Sequence, residues 1–175
     1  YTLSKAEAEG GDLFSFPQVT AGPLNARHPI ADARRHQFVL NWITDVPWAW
    51  GLQFSGLAQL MSGSPINKLK FVPLPAPPDG PGGNQRVLVG VARSNWFKNV
   101  DLRLSKNFLN VNGMQAAVTG PVFNVFDTKN YGCFDETLLN PGPTAGTTVP
   151  NPHWGKGGCF ISDPRRFQLG LQYSF

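Results

Sequence analysis

Arg166-Phe167-Gln168-Leu169-Gly170-Leu171-Gln172-Tyr173-Ser174-Phe175 is the stretch that decides how this chain is read. Phe167, Leu169, Leu171, Tyr173 and Phe175 occupy every second position, with Gln168, Gly170, Gln172 and Ser174 between them. A β-strand turns successive side chains to opposite faces. The pattern therefore predicts a strand with one wholly apolar, aromatic face and one small or polar face. Two settings suit such a strand: a barrel wall whose outer face meets lipid, or an amphipathic sheet edge.

Further strands are expected upstream, near residues 1–5, 35–45, 51–61, 96–108 and 114–126. The second sets Phe38, Leu40 and Trp42 against Gln37, Val39, Asn41 and Ile43, and the third sets Leu52, Phe54, Gly56, Ala58 and Leu60 against Gln53, Ser55, Leu57 and Gln59. The fourth alternates Val100, Leu102 and Leu104 with Asp101, Arg103 and Ser105, whereas the fifth is weakly patterned. With 166–175 they predict an all-β chain of about six antiparallel, up-and-down strands in a single unit spanning 1–175. Asp101, Arg103 and Lys106 are expected on a polar, lumen-like face.

The connections alternate in length. Short links are expected around Pro47-Trp48-Ala49-Trp50 and around Asn110-Val111-Asn112-Gly113, where Asn-Gly supplies the positive φ of a hairpin turn. The links near 6–34, 62–95 and 127–165 read as long loops dense in Pro, Gly and Asn. Loops of that length count against a compact soluble domain. Outer-membrane barrels, in contrast, carry short turns at one end and long loops at the other. Trp42, Trp48, Trp50, Trp96 and Phe167, together with Phe97 and Tyr173, read as apolar-face or interface aromatics, although a sandwich core would also hold such rings.

Composition narrows the function. Charged residues are 15% of the chain, below the roughly 25% of ordinary soluble domains, and 41% apolar content argues against disorder throughout. No window approaches the ~20 apolar residues of a membrane helix, so any membrane crossing would use strands. The first residue is Tyr1, with no signal-peptide pattern, so the chain is expected to be processed or part of something longer. The net charge of +4 is scattered, which argues against a nucleic-acid surface. His28, His36 and His153 lie apart and no Ser or Cys has a nucleophile context, so neither a catalytic nor a metal site is expected, and no cofactor motif is present. Cys133 and Cys159 share one Gly/Pro-rich stretch. In an oxidising compartment they would close a loop worth about 3 kcal/mol of chain entropy; free thiols are the other reading.

Several segments resemble, in order, the TonB-dependent outer-membrane receptors, specifically the Oar-like group with a carboxypeptidase-regulatory-like N-terminal domain. They are Asp32-Ala33-Arg34-Arg35-His36-Gln37-Phe38-Val39-Leu40, then Asp45-Val46-Pro47-Trp48, then Ser62-Gly63-Ser64-Pro65-Ile66. Ala92-Arg93-Ser94-Asn95 and Phe97-Lys98-Asn99-Val100-Asp101-Leu102-Arg103-Leu104-Ser105-Lys106 follow. Val122-Phe123-Asn124-Val125-Phe126-Asp127, Asn130-Tyr131 and Pro164-Arg165-Arg166-Phe167-Gln168-Leu169-Gly170 complete the series. Pro121 stands where the family usually has Glu, which puts the pairing of the fifth strand in question.

The resemblance implies the C-terminal wall of a Gram-negative outer-membrane barrel of about 22 strands around a plug, importing scarce ligands with energy from TonB. It implies that Gln168, Gly170, Tyr173 and Phe175 form the C-terminal signal read by the barrel assembly machinery. The Asp32–His36 segment would anchor a barrel rim. The expected neighbours are the lipid bilayer, the plug and TonB. Read by itself, a chain of about six strands leaves two open edges, and such edges recruit other chains. The alternative is thus an extracellular structural subunit that pairs with copies of itself into a tube or filament.

Overall fold

The computed structural model describes residues 1–8, 28–30, 33–49, 51–73, 84–111, 114–144 and 147–174. The described residues form β-strands and no helix. In chain order the strands are β1 (Thr2–Leu3), β2 (Glu7–Ala8), β3 (His28–Pro29), β4 (His36–Val46) and β5 (Leu52–Met61). Next come β6 (Pro65–Pro73), β7 (Asn84–Arg93), β8 (Phe97–Val111), β9 (Met114–Phe123) and β10 (Tyr131–Phe134). β11 (Thr137–Pro141), β12 (Thr148–Pro150), β13 (Gly157–Phe160), β14 (Arg166–Phe167) and β15 (Gly170–Ser174) complete the chain.

The main sheet runs β1-β4-β5-β8-β9-β14, with β15 also on β9, and every pairing in it is antiparallel. Its order follows the chain, as up-and-down strands require. It is an open path: β1 and β15 do not pair with each other. β4, β5 and β9 have 11, 10 and 10 residues, the length a tilted strand needs to cross a bilayer.

Register sorts the side chains. Phe38 faces Leu60, Leu40 faces Ala58 and Trp42 faces Gly56 across β4 and β5. The row continues through Leu104 and Leu102 of β8, then Val122 and Val118 of β9, to Phe167, Leu171 and Tyr173. One continuous apolar face results, and nothing in the described structure covers it. Leu169 is 74% exposed and Leu171 78%, whereas the buried apolar side chains among the described residues are Ile66 and its neighbour Pro65, at the start of β6. Even the middle of this face is thinly packed: Trp42 lies across Gly56, where a Cβ would collide with its ring, and is tilted on Phe54 at 6.3 Å. The opposite face is mixed: it carries Gln37, Asn41, Ser55, Gln59, Asp101, Arg103, Thr119 and Gln172, interspersed with Val39, Ile43, Leu57 and Met61.

Pro121 does disturb the sheet, but only on one side. Its carbonyl accepts from the Gln168 amide at 3.0 Å, so its backbone polar groups point toward the final strand and not toward β8. The missing N–H leaves the ladder to β8 intact and interrupts the last strand between β14 and β15. Register is unchanged across the gap, from Phe167 opposite Val122 to Gly170 opposite Thr119.

The short turns lie at one end of the sheet. Val46 and Leu52 bracket the first, in which Gly51 adopts φ +74 and packs so close that a Cβ would sit 2.5 Å from the Asn107 carbonyl oxygen. Val111 pairs with Met114 around the second, whose Asn112 and Gly113 lie outside the described residues.

The long connections leave from the other end, and here the expectation of loops is corrected. Residues 62–95 contain the β6–β7 hairpin, and 127–165 contain β10 to β13. β12-β11-β6-β7 form a second sheet, in which β11 joins β6 in parallel, and β10 pairs with β13. β2 and β3 pair within the first connection. Pro and Gly dominate residues 74–83 and mask the strand character on either side of them. The lysines of Asn67-Lys68-Leu69-Lys70 also blur the alternation of β6.

Gly63 tests this architecture. A Cβ there would overlap the Ser94 backbone, whereas one at Gly120 meets nothing within 4 Å. Gly63→Ala should lower unfolding stability by about 1–3 kcal/mol, the cost of overpacking. Gly120→Ala should stay within about 0.5 kcal/mol, with denaturant titration in detergent as the measurement.

Candidate functional site

The end of the sheet with the long connections is built from side chains that stand in for backbone. The Asn130 amide donates to the Lys98 carbonyl at 2.8 Å and accepts from the Lys98 amide at 2.9 Å. It thereby completes the ladder of β8 where β9 has ended. Buried Asn124, at φ +48, donates to the carbonyls of Thr128 and Asp163, while Asp101 accepts from its backbone amide at 2.8 Å. On the other flank, the Ser62 hydroxyl accepts from the His36 amide, and Arg34 donates to the Ser62 carbonyl at 3.1 Å. Arg93 donates to the carbonyls of Ala33 and Gly63. These bonds fix the long connections onto the strand ends.

Three cavities follow one another from this rim along the polar face. A rim cleft of about 360 Å³ lies among Arg34, Trp96, Lys129, Tyr131, Phe134 and Lys156. It shares Phe97 and Ile161 with a middle cavity of about 200 Å³, which contains Asn99, Asp163 and Arg166. That cavity shares Asp101 and Phe123 with a groove of about 600 Å³, bounded by Asn41, Ser55, Arg103, Thr119 and Gln168. The groove touches strands from β4 to β15.

Charge is uneven along this track. The rim cleft has three cations and no carboxylate in its lining, whereas the middle cavity holds Asp163 with Arg166 at 3.7 Å and the groove holds Asp101 with Arg103. Arg34 sits over the Phe97 ring at 5.5 Å, and Arg166 over Phe123 at 4.8 Å. Among the described residues no group of three or more His, Cys, Asp and Glu side chains could hold a metal.

A disulfide holds the outer wall of the cleft. Cys133 and Cys159 are bonded across β10 and β13, with Cα atoms 5.4 Å apart. Beside it, Asp135 accepts from the Asn151 side chain at 2.8 Å and from the Thr137 amide at 2.9 Å. These bonds, led by that from Asn151 and aided by the charge of His153, hold its carboxyl below the usual 3.8. Lys68 stacks on Trp154 at 5.3 Å and the Trp154 indole donates to the Asn67 carbonyl, which ties this module to the β6 hairpin.

The aromatics expected at an interface are dispersed. Trp42 lies mid-strand on the apolar face, Phe167 on the same face at its edge, and Trp48 projects from the short turn at 83% exposure. Trp96 stacks on His36 at the rim, with ring centroids 6.4 Å apart. Trp50 and Phe175 lie outside the described residues. Of the expected C-terminal signal, Gln168 and Gly170 lie on the polar face and Tyr173 on the apolar one.

Phe97 opens β8 at a strand end, in the row opposite Met61, and lies under Arg34. One placement is corrected. Lys106 falls in the apolar row, between Leu52 and Val118, because it is an odd number of residues from Asp101 and Arg103. It reaches out of that row to the Ala49 carbonyl at 2.8 Å. The cleft lysines were overlooked in the sequence; the available signal was that each precedes a cysteine by a few residues, so the bridge draws them together.

No family model, curated protein or solved structure matches the chain.

The depressed Asp135 carboxyl sets a pH dependence. Its contribution to the loop module is complete above the ordinary carboxylate pKa and is lost as pH falls through the lower folded value. Hydrogen exchange of the Thr137 and Gly155 amides, corrected for intrinsic rates, should show local opening growing in that acid range. Asp135→Asn should flatten the dependence.

Proposed function

We propose that this chain forms wall strands and outer loops of an outer-membrane β-barrel receptor that imports scarce ligands, as the resemblance to TonB-dependent receptors implies. The supporting observation is the division of the main sheet into an apolar face that no described residues cover and a mixed face that carries its polar and charged residues. Burying a side chain such as Leu171 in hydrocarbon is worth roughly 1.5–3 kcal/mol, and the apolar row repeats that gain on strand after strand. The two short turns lie together at one end and the long connections at the other, as in barrels with short periplasmic turns. In this reading the polar groove faces the lumen and the plug, and the rim with its disulfide faces the exterior.

A self-assembling extracellular subunit is the second reading, supported by the open edges at β1 and β15. One experiment separates them. Expressed in a Gram-negative host, the protein should fractionate with outer membranes. Leu171→Arg on the apolar face should deplete the membrane-assembled form, since Arg near the bilayer midplane costs about 2–4 kcal/mol. Gln172→Arg on the other face should leave it unchanged. Equal recovery of the two variants would remove the lipid-facing assignment. Regular polymers in detergent-free medium would transfer the chain to the second reading.

A further inference from the structure

The rim cleft has a composition that neither barrel closure nor self-association requires. Its volume of about 360 Å³ falls within the ~300–1,000 Å³ of small-molecule sites. The rings of Trp96, Tyr131 and Phe134 line it, and Arg34, Lys129 and Lys156 supply positive charge without a lining carboxylate. Nearby carboxylates are turned elsewhere: Asp127 accepts from the Arg165 amide, and Asp135 is held by Asn151 and Thr137. Lys129 and Lys156 form no ion pair among the described residues.

The cationic side is also held in place. Arg34 is anchored through the Ser62 carbonyl and its stack on Phe97, which limits the entropy it would lose on meeting a ligand. Lys129 precedes β10 and Lys156 precedes β13, so the Cys133–Cys159 bridge fixes the segments that bear them.

We propose that this cleft binds a small organic anion with a flat aromatic body. The anionic group would take the lysines and Arg34, while the ring would lie among Trp96, Tyr131 and Phe134. Because Phe97 and Ile161 also line the middle cavity, the occupant would sit beside that cavity, which in turn adjoins the large groove through Asp101 and Phe123. The proposal rests on the cleft itself and not on a membrane location.

The test uses the oxidised full chain in micelles, with 1-naphthoate as probe and 1-naphthalenemethanol as its neutral counterpart, titrated by calorimetry against a micelle blank. Naphthoate should bind at least about tenfold tighter than the alcohol, by an advantage that shrinks with added salt. Lys129→Gln with Lys156→Gln should cut naphthoate affinity about tenfold and leave the alcohol unchanged. The paired Lys→Arg variant should retain naphthoate affinity, which guards against misfolding as the cause of loss. Equal affinity for acid and alcohol, an unaffected Gln variant, or equal loss in the Arg variant would each overturn the proposal.

Discussion

The paired registers of β4, β5, β8, β9 and β15 are the constraint on which the rest depends. Side chains alternate with a period of two, so a slip of one residue in any strand would send its apolar set to the opposite face. Among the described residues, the one shift in the main sheet lies between Phe108 and Val111, beside the β8–β9 turn; from Phe38 through Leu102 and Val118 to Tyr173 the apolar rows meet on one side. In a soluble sheet this face would be covered by a second layer. Here the second sheet and the disulfide module are tied to the strand ends instead. Pro65 and Ile66, the buried apolar residues among those described, belong to β6 and not to the main sheet.

Folding free energy for such a sheet therefore has two sources. Backbone ladders and the buried polar residues at the rim come from within the chain. Burial of the apolar face, worth roughly 25 cal/mol per Å² removed from water, is not supplied by the described residues. Rigidity should follow the same division, with the rim held by reciprocal side-chain bonds at Asn124 and Asn130 and by the Ser62 network. The cleft is thus mounted on a braced end of the sheet, and its wall is cross-linked at Cys133 and Cys159.

The main strands were legible because each carries period-two alternation, bounded by a short turn or a Pro/Gly-rich break. The strands of the long connections were not. β6 mixes Lys68 and Lys70 into its apolar residues, and β10 and β13 are short and rich in glycine. Pro121 was rightly suspected of disturbing the sheet, but sequence could not say which neighbour would lose a bond. That depends on whether its carbonyl points to β8 or to the last strand.

Alternation in 166–175 and its counterparts upstream was enough to determine an all-β chain with one apolar face, because side-chain direction in a strand is set by covalent geometry. The pattern also placed Phe167, Leu169, Leu171 and Tyr173 together before any pairing was known. Tertiary structure alone decided that no described residues cover this apolar face and that the long connections form a braced module. It also brought Arg34, Lys129 and Lys156 around one cleft from distant parts of the chain. Those outcomes depend on which strands pair and which cysteines join, and these are contacts between residues far apart in sequence that no local periodicity encodes.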